Sequence, residues 1–131
     1  MSQQVVLKTT ESDIQEFYVG ILGGKITRHF TLYEKDAIRI FNIPHQLEVY
    51  EIELQDIQFE LFVYEVFEQD SLQHICLLLD DALKPFIKAS EKNYWAHLKR
   101  GNEKESYFIK DKNNNLFELR TKMQYHEQFI G

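Results

Sequence analysis

The sequence predicts an α+β fold built from two tandem βαβββ modules. The tripeptide Phe-Glu-Leu occurs twice, at Phe59-Glu60-Leu61 and at Phe117-Glu118-Leu119, each time inside an alternating stretch that reads as a strand. The order of periodic segments in the first half returns in the second. The chain has 131 residues and is 44% hydrophobic, with ten Phe and seven Tyr. That is enough for one shared core, whereas separate halves of roughly 60 residues would be marginal alone. A glutamate inside a strand is disfavoured by propensity and costly if desolvated. Its recurrence in matching contexts suggests a duplicated module that sets a carboxylate at the same point in each half.

The elements follow in order. Residues 4–9 alternate, with Val5, Leu7 and Thr9 on one face and Gln4, Val6 and Lys8 on the other. Thr10, Ser12 and Asp13 are helix-start residues. Ile14, Phe17, Tyr18, Ile21 and Leu22 then recur at helical spacing, and Gly23-Gly24 ends the helix. Residues 25–33 read as a strand and 34–41 as a short helix stopped near Pro44. Residues 47–54 and 57–66 alternate around Gln55-Asp56, a hairpin whose turn lacks the usual glycine.

In the second half, 72–79 is an apolar strand. Asp80 or Asp81 can cap a helix that runs to about residue 92. Strands follow over 94–99, 106–110 and 116–122. Arg100-Gly101-Asn102 forms a loop, and the polar turn 111–115 carries an Asn run suited to left-handed positions. The stretch 92–104, rich in both signs of charge, reads as a solvated loop and strand edge. One domain, 1–131, is expected, with module one about 1–68, module two about 69–124, and a short C-terminal tail.

The formal net charge of −6 argues against a nucleic-acid partner. The single cysteine, Cys76, excludes an intrachain disulfide. No basic-then-apolar leader and no apolar run of membrane length are present, so a soluble cytoplasmic protein with no membrane partner is expected.

Three segments resemble the vicinal oxygen chelate superfamily, which includes glyoxalase I, methylmalonyl-CoA epimerase, extradiol dioxygenases and the fosfomycin and bleomycin resistance proteins. Phe17-Tyr18-Val19-Gly20-Ile21-Leu22-Gly23 resembles its first-helix signature. Gln73-His74-Ile75-Cys76-Leu77, continuing to Asp80, resembles its fifth strand, where a histidine opens an apolar strand that ends in an acid. The stretch from Asp111 to Glu118 resembles the final hairpin. Two departures stand out. Gln4 replaces the histidine of many first strands, and Lys112, Asn113 and Asn114 replace the Pro-Asp-Gly of the last turn.

The resemblance implies curved mixed sheets around a cleft, and one metal ligand from each of the first, fourth, fifth and eighth strands. Carried over by position, these are Gln4, Glu60, His74 and Glu118, a set similar to that of some glyoxalase I enzymes. All four lie on the polar side of their own strands by alternation. Such donors suit zinc, nickel, manganese or iron. Substrate oxygens would bind the ion and a glutamate would move a proton beside the metal-bound carbonyl, Glu118 first and Glu60 second.

Lys8, Phe62, Tyr64, Cys76 and Arg120 fall on the same expected faces. Arg120 can anchor a substrate carboxylate or phosphate, or cap the strand end in solvent. Cys76 reads as a small apolar filler. Trp95 and His97, in the sixth strand, read as lining the pocket or a dimer contact, with core packing favoured for Trp95. His29, His45 and His126 have no evident partner.

The expectation is a metal-dependent lyase or isomerase of glyoxalase type acting on a small molecule. The alternative is a metal-free drug- or ligand-binding module of the bleomycin-resistance type. An extradiol oxygenase fits less well, because that chemistry usually takes two histidines. A homodimer is implied by resemblance alone, and no glutathione-binding motif is evident.

Overall fold

The computed structural model of the protein describes residues 3–65, 74–101 and 105–122. Expectations for Val66, Leu72, Gln73, Asn102, Lys104, His126 and the tail lie outside them. The chain divides into two compact units, Met1–Val66 and Phe67–Gly131.

The first unit contains β1 (Gln3–Thr9), α1 (Glu11–Asp13) running into a π-helical stretch (Ile14–Val19), β2 (Lys25–Leu32), α2 (Glu34–Phe41), β3 (Leu47–Leu54) and β4 (Ile57–Val63). The second contains β5 (Ile75–Leu79), α3 (Leu83–Glu91), β6 (Ala96–Arg100), β7 (Glu105–Lys110) and β8 (Leu116–Thr121). The strand orders match: β1-β4-β3-β2 in one sheet and β5-β8-β7-β6 in the other. In each, the first strand pairs parallel with the last and the remaining pairs are antiparallel. Both units are therefore βαβββ modules, and α2 is an addition to the first.

The repeated tripeptide sits in β4 and β8, each an inner strand of its sheet. Phe59, Leu61, Phe117 and Leu119 are fully buried. Alternation turns Glu60 and Glu118 to the opposite face.

The first helix departs from its expected regular form. The Thr10 hydroxyl accepts from the Asp13 N–H at 3.3 Å, as an N-cap should. After one turn the ladder widens: Gly20 N–H reaches Gln15 O at 2.8 Å and Leu22 N–H reaches Phe17 O at 2.9 Å, each spanning five residues. The wider turn lets the adjacent Phe17 and Tyr18 both lie buried, with Tyr18 packed 5.8 Å from the Phe59 ring. Gly23, at φ +83°, ends the segment.

Non-glycine residues make the other tight turns. Gln55 takes φ 54° between β3 and β4, and Asn114 takes φ 69° between β7 and β8. Buried Asp111 holds the latter turn by accepting from the Asn113 and Asn115 N–H groups at 3.0 and 2.8 Å. That network replaces the missing Pro and Gly.

Several boundaries shift. β4 stops at Val63, and the Tyr64 N–H turns to Thr9 O at 3.1 Å. α3 begins at Leu83, whose N–H bonds Asp81 Oδ1 at 3.1 Å, so Asp81 caps from two residues upstream. β6 starts at Ala96 because left-handed Asn93 (φ 63°) breaks the approach. Phe86 of α3 packs 5.1 Å from Tyr107, which fixes the helix side of the second sheet.

Candidate ligand and metal site

In the first unit, register sets Gln4 across from Gln58, Val6 across from Glu60 and Lys8 across from Phe62. Gln4, Lys8, Glu60 and Phe62 thus share one face, with Gln4 diagonal to Glu60. On its other side Glu60 faces Glu51, which is already engaged by Arg28 at 3.2 Å and Gln58 at 2.9 Å. The Glu60 carboxylate is half-buried, and no hydrogen bond or ion pair engages it among the described residues.

Phe62 meets Phe41 of α2 edge-on at 5.3 Å. Tyr64, just past the strand, lies 5.7 Å from the His45 ring. Phe41 and His45 had no sequence signal tying them to this face; the end of α2 brings Phe41 there, and the segment between α2 and β3 brings His45.

The second unit gathers a tighter cluster. His74 precedes β5 rather than opening it. Its Nε2 lies 3.2 Å from Glu118 Oε1. Arg120 donates from Nε and a terminal nitrogen to Glu118 Oε2, at 2.9 and 2.7 Å. Ser106, on β7, donates a further hydrogen bond to the carboxylate. Glu118 is 8% exposed. Burial pushes its pKa up. The hydrogen bond and charge of Arg120, then Ser106 and His74, outweigh that and hold it below the usual carboxylate value.

Arg120 therefore does not cap the strand end in solvent. Ser106 was legible only through the strand pairing, which the sequence does not display. Two other expectations fail. Cys76 is exposed on the Glu118 face, not packed as filler, and Trp95 is 47% exposed, not core. His29 has partners: it stacks on Tyr50 at 4.0 Å and pairs with Glu48 at 2.8 Å.

Arg120 neutralises Glu118 while leaving Oε1 turned to His74. Two ligands of one divalent ion, each about 2.0–2.2 Å from it, stand about 2.8–3.6 Å apart at octahedral to tetrahedral angles. The Nε2–Oε1 separation of 3.2 Å fits that edge. Among the described residues of either unit, no three His, Cys, Asp or Glu side chains are grouped to hold an ion.

These two modules define the vicinal oxygen chelate fold. Among solved structures it is shared by trypanothione-dependent glyoxalase I of Leishmania major, at 15% identity and TM-score 0.73, covering 99% of this chain and 92% of that one. The fosfomycin resistance protein FosX of Listeria monocytogenes, solved with Mn(II) and sulfate, aligns at 11% identity and TM-score 0.70, covering 98% and 96%. TnmS3, an antibiotic-binding protein of a Streptomyces species, aligns at 13% identity and TM-score 0.63, covering 92% and 94%. No family model and no curated protein sequence matches the chain.

Proposed function

We propose that the protein is a metal-dependent lyase or isomerase of glyoxalase type, using Gln4, Glu60, His74 and Glu118 to hold a divalent ion. The observation that carries this reading is the His74–Glu118 edge of 3.2 Å, backed by a guanidinium on the far oxygen. A ligating carboxylate is ordinarily hydrogen-bonded on its outer side in this way. Zinc, nickel, manganese or iron fits the oxygen and imidazole donors. When bound, such an ion supplies Lewis-acid polarisation of a substrate carbonyl.

The chain's own carboxylates divide the remaining work. Glu118, stabilised as an anion by Arg120, is a weak base. Glu60, half-buried and without a partner among the described residues, is the better proton carrier. This reverses the order expected from the sequence. Lys8, Phe62, Tyr64 and Arg120 complete the proposed substrate pocket, with Arg120 acting through Glu118.

A second reading is a metal-free small-ligand or drug-binding module. It is favoured by the same contacts, because Arg120, Ser106 and His74 satisfy Glu118 without an ion. Bound divalent metal in the purified protein, and Mn(II) binding by wild type, Glu60→Ala and His74→Ala, separate the two. Stoichiometric ion lost in both variants supports the enzyme; no binding after reconstitution leaves the binding module.

A reducing cytoplasm suits a chain whose single cysteine, Cys76, is exposed. Among the described residues no helix is long and apolar enough to cross a membrane. The homodimer is part of the proposal and is checked by light scattering.

A further inference from the structure

The Glu118 face of the second unit carries more than candidate ligands. Register lines up Cys76, Glu118, Phe108 and His97 in one row across all four strands. On one side of that row Lys99 stands across from Ser106, next to Arg120 on β8. On the other, the Lys110 N–H bonds Trp95 O at 3.2 Å, which sets Lys110 beside Trp95.

The rings form a band. Trp95 and His97 have planes 24° apart and centroids 6.0 Å apart. Phe108, across from His97, lies 6.3 Å from the His74 ring. Trp95 and His97 are exposed and Phe108 is half-buried. One exposed indole on a soluble protein needs no explanation. Three adjoining rings on one sheet face, with cations at both flanks, do.

The charge on this face opposes that of the chain. Arg120 cancels Glu118. Lys99 and Lys110 remain, on a chain with formal charge −6. Lys110 Nζ is held 4.6 Å from the Trp95 ring centroid, so one ammonium is already oriented at the edge of the aromatic band.

We infer that this face binds a planar aromatic anion, its ring on Phe108 and His97 and its anionic group at Lys110. Flat rings stack on the aromatic faces, and the local positive charge attracts the anion against the overall field. This names the ligand class of the site proposed above and rests on that face being the ligand face; it does not require the ion.

Trp95 is the single tryptophan of the chain, so its fluorescence, excited where tyrosine does not absorb, reports this face alone. The test titrates the full chain in EDTA with 2-naphthoate, with the neutral 2-naphthalenemethanol and with the non-planar cyclohexanecarboxylate. The expected result is saturable quenching by 2-naphthoate, with affinity about tenfold or more above either comparator. Lys110→Met should remove the advantage over the neutral ring and leave binding of that ring unchanged, while circular dichroism stays native.

Absence of saturable binding, equal affinity for all three probes, or an unchanged naphthoate affinity in Lys110→Met overturns the inference. Repeating the titration with Mn(II) keeps the two proposals apart. Naphthoate binding without any Mn(II) binding defeats the metal reading alone; Mn(II) binding without naphthoate binding defeats this one alone.

Discussion

Arg120 sets two nitrogens on a single oxygen, Oε2 of Glu118, at 2.9 and 2.7 Å. The two residues are neighbours on one face of β8, two positions apart, so the pairing is built into a single strand. It leaves Oε1 turned to His74. Both partners are largely shielded, with side chains 21% and 10% exposed.

Replacing Arg120 with Met strands a mostly buried carboxylate. The expected cost at neutral pH is about 1–3 kcal/mol in urea unfolding. The sign with pH follows from the direction of the shift. Glu118 has a native pKa below its ordinary 4.5, so its ionised form contributes stability above that value. The contribution is lost as pH falls through the native pKa. The gap between wild type and Arg120→Met should therefore be full at neutral pH and close on acidification. A gap that does not change with pH would show that Arg120 acts through packing.

Tyr50 gives the opposite sign. Its hydroxyl donates to Glu11 Oε1 at 2.6 Å. That bond first, then burial and the nearby acids, push its pKa up from 10.0 to about 12. The neutral phenol contributes stability below pH 10, and that contribution is lost as pH rises from 10 to about 12. An ultraviolet phenolate titration should find Tyr50 among the last of the seven tyrosines to ionise, and Tyr50→Phe should remove that late component. The stability cost of Tyr50→Phe should stay within about 1 kcal/mol, because solvent screens the pair.

The glycine pair at the end of the first helix separates two mechanisms. At Gly24 a Cβ would stand 2.5 Å from Ile52 Cγ2 and 3.0 Å from Tyr18 O. Gly24→Ala should therefore cost about 1–3 kcal/mol by overpacking. At Gly23 a Cβ meets nothing within 4 Å, but φ is +83°. Gly23→Ala should cost about 1–2 kcal/mol through backbone strain. A second substitution, Ile52→Val, should not relieve Gly24→Ala, since Val retains the Cγ2; Ile52→Ala should relieve part of it.

Much of the architecture was legible in the sequence because alternation and helical spacing are local. Phe59, Leu61, Phe117 and Leu119 proclaim the core face of β4 and β8, and the glutamates between them must face the other way. Cross-strand neighbours were not legible. That Ser106 reaches Glu118, or that His97 stands across from Phe108, depends on register between distant strands, which no single-strand pattern contains. Cys76 and Trp95 were misjudged for a related reason. Apolar character suggested burial, but alternation set Cys76 on the Glu118 face, and Trp95 stands where β7 ends, on the rim of its sheet. The widened first helix escaped because Ile14, Phe17, Tyr18, Ile21 and Leu22 suit a regular helix equally well.

The guanidinium on β8 makes the acid self-contained. An acid that carries its own counter-ion two positions along the strand is neutralised by the segment that places it, so a single substitution at the arginine would lay the charge bare with the backbone left as it was.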